Sequence, residues 1–144
     1  DTALENDAKT IIARASIKNK DFHTAEIYYS QLEETATGRL KSETLYYKAY
    51  FRNMEKEYEQ SNAVVQELIA NYSVYKYWAV KSYVIMGQNY YGLKDVYQAT
   101  FVLENVLKNF SEFEDIIKEA RTTLSDIRES NAKPNTQVIP EKKN

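Results

Sequence analysis

The stretch GQNYYGLKDVYQATFVLENV, residues 87–106, joins two segments of helical apolar spacing through a short polar turn. Ala99, Leu103 and Val106 follow one another at intervals of four and three residues, which places them on one side of a helix. Gly87 stands twelve residues before Ala99, inside the preceding segment. The stretch is therefore predicted to form a pair of helices that pack against each other.

Two earlier stretches of the chain repeat this pattern. The segments 20–32, 56–68 and 94–106 align without gaps, at successive offsets of about 36 and about 38 residues. A period of a few tens of residues is the signature of stacked structural repeats. Small residues recur at two places in each unit, where they let paired helices approach closely. They are Ala13, Ala49 and Gly87 in the first helix and Ala25, Ser61 and Ala99 in the second.

These repeats predict an all-α fold, an α-α superhelix of about three helical hairpins and a C-terminal capping helix. The hairpins are expected at about residues 3–35, 41–71 and 75–109, and the capping helix at 112–130. Such a cap is needed because the end of a repeat stack otherwise exposes apolar surface. The sequence contains only 3 glycines and 2 prolines, which also favours helices over a sheet with many tight turns.

The last part of the chain has a different composition. Residues 131–144 are mostly polar, carry both prolines of the chain and show no apolar periodicity. We therefore expect one repeat domain at residues 1–130, followed by a flexible tail at residues 131–144.

Composition argues against several classes of function. With 19 basic and 21 acidic residues the formal net charge is -2, which gives no broad attraction to nucleic acid or anionic lipid. No apolar run reaches the roughly 20 residues of a membrane-spanning helix, so no membrane insertion is expected. The chain has no cysteine and one histidine, so neither a disulfide nor a common zinc site is predicted.

Catalytic motifs are missing from the sequence as well. There is no glycine-rich phosphate loop, nucleophile elbow or calcium loop. Acidic groups such as Glu33-Glu34 fall at predicted helix ends, where solvated charge is common. We expect a protein that is not an enzyme, with no catalytic residue, metal or cofactor.

The third unit resembles the repeat of the tetratricopeptide (TPR) family. Its Gly87, Tyr90, Ala99, Leu103 and Val106 are similar to the family's series of Gly, Tyr, Ala, aromatic or Leu, and small apolar residue. The resemblance covers roughly residues 5–130. The other units depart further from the family pattern, and the period exceeds the usual length of about 34 residues.

The TPR resemblance implies a scaffold that binds a peptide or partner protein along the concave face lined by the first helices. Tyrosine suits such a face, because its ring buries area at little entropic cost and its hydroxyl can bond a peptide backbone. The alternative for these tyrosines is packing between neighbouring helices. Only Lys81 matches the basic set with which some TPR domains grip carboxylate tails. The candidate partner-binding residues are Arg14, Glu43, Tyr47, Tyr50, Lys81, Gln88 and Tyr91.

The chain is rich in Tyr and Asn, and this composition, together with segments such as 77–82, also resembles that of large multi-TPR proteins of Gram-negative bacterial envelopes. That resemblance implies the C-terminal part of a longer scaffold in the periplasm or envelope rather than the cytoplasm. A second hypothesis for function is a structural end segment of a longer solenoid, or a self-associating spacer without its own ligand. A stable monomer with an exposed hydrophobic face at the amino-terminal end would favour the solenoid version.

Overall fold

The computed structural model describes residues 1–138, and their side chains up to residue 132. This part of the chain contains seven α-helices and no strand, which confirms the prediction of an all-α fold. The helices are α1 Thr2–Lys18, α2 Phe22–Thr35, α3 Gly38–Met54, α4 Tyr58–Tyr72, α5 Lys76–Gly92, α6 Val96–Asn109 and α7 Glu114–Val138.

The first six helices form three hairpins, and α7 lies against the third. In each hairpin the two helices pack on each other, and the second helix also packs on the first helix of the next unit. The first helices approach one another as well, α3 with α5 and α5 with α7. Between α1 and α3, both described in full, no two Cα atoms come within 8 Å. This hairpin packing is consistent with an α-α superhelix.

Helix α7 continues past residue 130, where the sequence pattern predicts the start of a tail. The backbone is helical to Val138, and residues 139–144 of the predicted tail lie outside the described residues. Residues 129–133 contain no glycine or proline, so nothing in them ends the helix. Proline at residue 134 has the backbone φ of a helix, although it removes one hydrogen bond donor.

The turn inside each hairpin has the same left-handed residue. Lys20, Lys56 and Lys94 have φ angles of 61°, 62° and 66°. In the middle turn the amide of Lys56 donates to the carbonyl of Asn53 at 2.9 Å, and the next amide donates to the carbonyl of Arg52 at 2.9 Å. The other two turns have the same pair of bonds. This is the Schellman motif of helix ends, which usually has glycine at the left-handed position.

The small residues of the repeat lie where the helices of a hairpin touch. A Cβ atom added to Gly87 would stand 2.7 Å from Cγ of Leu103 on α6, so even alanine would crowd the third hairpin. In the second hairpin the hydroxyl of Ser61 donates to the carbonyl of Ala49 at 2.7 Å. All six small residues predicted to define the repeat are buried: Ala13, Ala25, Ala49, Ser61, Gly87 and Ala99.

Three apolar clusters make up the core, and each lies between one hairpin and the first helix that follows it. The first joins hairpin α1–α2 to Phe51, the second joins hairpin α3–α4 to Ile85, and the third joins hairpin α5–α6 to Ile116. Tyr47 and Tyr50 pack against both the first and the second cluster. The core is thus a series of nearest-neighbour contacts, as in other stacked-repeat proteins.

Replacing the left-handed lysine of a turn with glycine should stabilise the protein. Lys56→Gly removes the steric cost of a side chain at φ 62°, so we expect the free energy of unfolding to rise by about 0.5–1 kcal/mol. Urea denaturation followed by circular dichroism measures the change. The control is Gln66→Gly at an exposed position inside α4, where glycine should lower stability by about 1 kcal/mol. Destabilisation by both changes would contradict the strained-turn interpretation.

Candidate functional site

The seven predicted partner-binding residues all lie on the first helices of the three hairpins. We call this surface the first-helix face. Arg14 lies on α1, three of the residues on α3 and three on α5. Arg14 is exposed and Glu43 is buried, and the remaining five are half-buried: Tyr47, Tyr50, Lys81, Gln88 and Tyr91.

Glu43 spans the wide separation between α1 and α3. Its carboxylate is 1% exposed and accepts two bonds from the Arg14 guanidinium, from Nε at 3.0 Å and Nη2 at 2.7 Å. The hydroxyl of Tyr29 on α2 donates a third bond at 2.7 Å. Glu43 therefore ties α1, α2 and α3 together and orients Arg14, and it offers little free surface to a partner.

The hydrogen bonds of Glu43 also alter the ionisation of its partners. The bond to Glu43 raises the pKa of Arg14, against an opposing effect of partial burial. Burial, followed by the bond to the carboxylate, raises the pKa of Tyr29 far above its usual value of 10. Both groups therefore keep their protons across the physiological range.

Tyr47 and Tyr50 are at the joint between the first and second hairpins. The ring of Tyr47 stacks on Tyr29 at 4.5 Å between centroids and meets the edge of Trp78 at 6.0 Å. Tyr50 lies 6.0 Å from the ring of Phe22. Both tyrosines pack between helices, which was the alternative to a binding role, yet both remain half-exposed on the first-helix face.

Lys81 connects α3 and α7 across α5. Its ammonium group donates to Glu119 at 3.2 Å and lies 5.5 Å from the ring centroid of Tyr46. The position of an ammonium over an aromatic face is a favourable cation–π arrangement. The ring of Tyr46 in turn lies 4.9 Å from that of Tyr47, so aromatic contact continues from the first joint to this one.

Gln88 and Tyr91 form the end of the first-helix face beside α7. The amide of Gln88 donates to the hydroxyl of Thr123 at 3.4 Å, and Thr123 donates to the backbone carbonyl of Glu119 at 2.9 Å. Tyr91 lines a shallow cleft of about 230 Å³ with Gln88, Thr123 and Asp126. The seven residues thus follow one another from α1 over α3 to α5, where α7 borders them.

The charges of this surface are paired within the protein. Arg14 is held by Glu43, and Lys81 is held by Glu119. Both cations among the seven predicted residues, Arg14 and Lys81, thus already have one carboxylate partner within the protein. The surface is therefore polar and aromatic with little net charge.

Sequence reasoning missed three residues that position the side chains of this surface: the buried Tyr46, and Glu119 and Thr123. Glu119 and Thr123 belong to α7, which the sequence pattern suggested only as a cap. The separation of Lys81 and Glu119 along the chain equals the offset between the second and third units. That match is the signal which could have shown that α7 continues the series of first helices.

A buried polar network joins the second and third hairpins. The amide nitrogen of Asn89 donates to Ser61 Oγ and Asn62 Oδ1, both at 2.8 Å. The amide oxygen of Asn89 accepts a bond from Asn53 at 2.9 Å. Because an unpaired polar group would be costly here, the network fixes the register of the joint. It also explains why serine replaces alanine at position 61 of the repeat.

A second aromatic surface lies on α6, away from the first-helix face. The exposed rings of Tyr97 and Phe101 stack at 6.3 Å and are 77% and 58% accessible to solvent. A cleft of about 290 Å³ beside them is lined by Phe101, Tyr83, Val102 and Phe110. We call this surface the α6 patch. The sequence pattern did not single it out.

Among the residues that the structure describes, no group of three His, Asp or Glu side chains is arranged to hold a metal ion. Nor does this part of the chain contain a helix long and apolar enough to cross a membrane. No protein-family model and no curated protein matches the chain.

Substitutions of Arg14 should show whether the buried carboxylate of Glu43 needs its partner. Arg14→Ala exposes the carboxylate to water, so we expect a loss of about 1 kcal/mol. Arg14→Leu keeps the carboxylate covered but unpaired, so the loss should reach about 2 kcal/mol or more. Urea denaturation of both variants provides the comparison. Equal losses would show that burial of an unpaired charge is not the source of the effect.

Stability should fall at alkaline pH because burial raises the pKa of five tyrosines. These are Tyr29, Tyr46, Tyr47, Tyr50 and Tyr77, and for Tyr47 the pKa rises to about 12. The neutral phenols favour the folded state, so their contribution is complete below the unfolded pKa of 10. It is lost as the pH rises towards each folded pKa.

Ultraviolet absorbance of tyrosinate and circular dichroism, recorded over the same alkaline titration, test this expectation. The late-titrating tyrosines should ionise together with the loss of helix. In Tyr47→Phe, that late class should contain one tyrosine fewer. Complete ionisation of all 13 tyrosines near pH 10 with the helices intact would contradict the assigned burial.

Proposed function

We propose that the protein is a TPR-type interaction module that binds an extended peptide segment of a partner protein along the first-helix face. The observation that carries the proposal is the series of polar and aromatic side chains over successive first helices, from the exposed Arg14 on α1, through the half-buried tyrosines of α3, to Gln88 beside Thr123 of α7. The proposed role is binding and not catalysis.

The repeat geometry supports the assignment to the TPR type. Three hairpins share a left-handed residue at the same place in the turn, and small residues are buried at the same two places in each helix pair. Interaction modules of stacked repeats present extended surfaces to their ligands, built from equivalent positions of successive units. Arg14, Tyr50 and Gln88 are such equivalent positions, since the repeat offsets relate each one to the next.

The chemistry of the surface limits the kind of peptide that would bind. Tyr47 and Tyr50 are held in place by ring contacts, so binding against them costs little side-chain entropy. Gln88 and Thr123 provide hydrogen bonding groups that suit a peptide backbone. Because the charges of Arg14 and Lys81 are already paired, we expect a segment with aromatic or aliphatic side chains and few charges.

Selection from a random-peptide display library, followed by affinity measurement, tests the proposal. Selected peptides should lose at least about tenfold in affinity when Tyr50 and Tyr91 are both changed to alanine, equivalent to about 1.4 kcal/mol. Amide chemical shifts should change on α1, α3, α5 and α7 when the peptide is added. Thermal melts monitor whether the double variant remains folded.

The matched control is Tyr97→Ala, which removes an exposed tyrosine from the α6 patch. This variant should bind the selected peptides like the original chain. If Tyr97→Ala abolishes binding while the double variant keeps it, the ligand surface is the α6 patch and the proposal is wrong. Failure to select any peptide that perturbs the first-helix face would also count against it.

A further inference from the structure

The outward side of α1 carries an apolar stripe. Leu4, Ala8, Ile11 and Ala15 recur at intervals of four, three and four residues, so they share one side of the helix. All four are exposed, with Leu4 at 68% and Ile11 at 69%. The buried residues of α1, such as Ala13, lie on the opposite side. We call these four residues the α1 stripe.

The equivalent positions of the later units are covered by another helix. Ile11 corresponds to Tyr47 on α3 and to Ile85 on α5, through the same repeat offsets that relate the small residues. Tyr47 stacks on Tyr29 of α2, and Ile85 packs into the core cluster of the second hairpin. Helices α2 and α3 are joined by two residues and therefore run in opposite directions. The stripe thus has the position that an antiparallel helix covers in the next unit.

We propose that the α1 stripe pairs with the α1 stripe of a second copy of this chain, in a two-fold symmetric, antiparallel arrangement. If the two-fold axis passes midway between Ala8 and Ile11, residue n of one helix faces residue 19 − n of the other helix. Leu4 then faces Ala15 of the second copy, and Ile11 faces Ala8 of the second copy. Large residues meet small ones, which lets the two helices approach closely.

The charges along α1 favour the same arrangement. The acidic Asp7 lies in the first half of α1 and the basic Arg14 and Lys18 lie in the second, so an antiparallel pair brings opposite charges together. Asp7 and Arg14 lie on the same side of the stripe. Two-fold symmetry places that side of one helix next to the same side of the other helix, so Asp7 of each copy comes near Arg14 of the other. The bonds to Glu43 occupy only Nε and Nη2 of Arg14, so donors remain for Asp7 of the second copy.

As far as its side chains are described, to residue 132, the opposite end of the stack has no matching apolar stripe. The outward side of α7 is charged, with exposed Glu114, Lys118 and Arg121. Head-to-tail stacking would bury those charges against the apolar stripe, which is unfavourable. The pairing therefore closes as a dimer and does not extend to a filament. One pair of helices buries less than a standard interface, so the dimer should be weak, with a dissociation constant in the micromolar range.

Sedimentation equilibrium of the full chain over a range of concentrations tests the association. We expect the mass to rise from 16.8 kDa towards twice that value. Ile11→Glu, a change at an exposed position that should not affect folding, is expected to weaken dimerisation at least about tenfold. The control Val74→Glu alters another exposed apolar residue, 80% accessible, and should leave association unchanged.

A chain that stays monomeric at all concentrations would overturn the proposal, because the stripe would then be covered by something other than a second copy, such as a preceding hairpin. An equal effect of both glutamate variants would also overturn it. Cysteine crosslinking checks the direction, because the chain has no native cysteine. A mixture of Leu4→Cys and Ala15→Cys chains should form mixed disulfide dimers under mild oxidation. Preferential crosslinking of Leu4→Cys to itself would indicate parallel helices and contradict the proposed pairing.

Discussion

The two helices of each hairpin in this protein can pack closely because the residues between them have almost no side chain. At Gly87 the space that a Cβ atom would need is already taken by Leu103, and at Ala49 the backbone is near enough to accept a bond from Ser61. Each closely packed hairpin lies against the first helix of the next unit, and the stack is built by repeating this contact. The first-helix face and the α1 stripe both depend on this spacing, because it decides which residues of each first helix remain exposed.

The three joints between units are held together by different kinds of side-chain contact. The first joint is bridged by a buried carboxylate and stacked tyrosines, the second by the amide network of Asn89, and the third by the Lys81–Glu119 pair beside an apolar cluster. Polar groups at a buried joint have strict geometric demands, so they fix register where apolar packing alone would tolerate slippage.

Much of the fold could be predicted from the sequence, because periodic apolar spacing and recurrent small residues such as Ala25 and Ala99 depend on local geometry alone. The site was less accessible to such reasoning. Tyr47 and Tyr50 could be placed on the first helices, but the burial of Glu43 depends on Tyr29 and Arg14, which are distant in sequence. The role of Asn89 was missed for the same reason, since a polar residue on a helix gives no sign of which partners enclose it.

The wide separation of α1 and α3 has a consequence for the motions of the stack. Since no Cα atoms of these two helices come within 8 Å, side chains alone bridge them, whereas α3 and α5 are in backbone proximity. Local opening of a repeat protein begins where neighbouring units share the least contact. The first hairpin is therefore the unit that we expect to open first, and its opening requires that the Arg14–Glu43 bonds and the Tyr29–Tyr47 stack break.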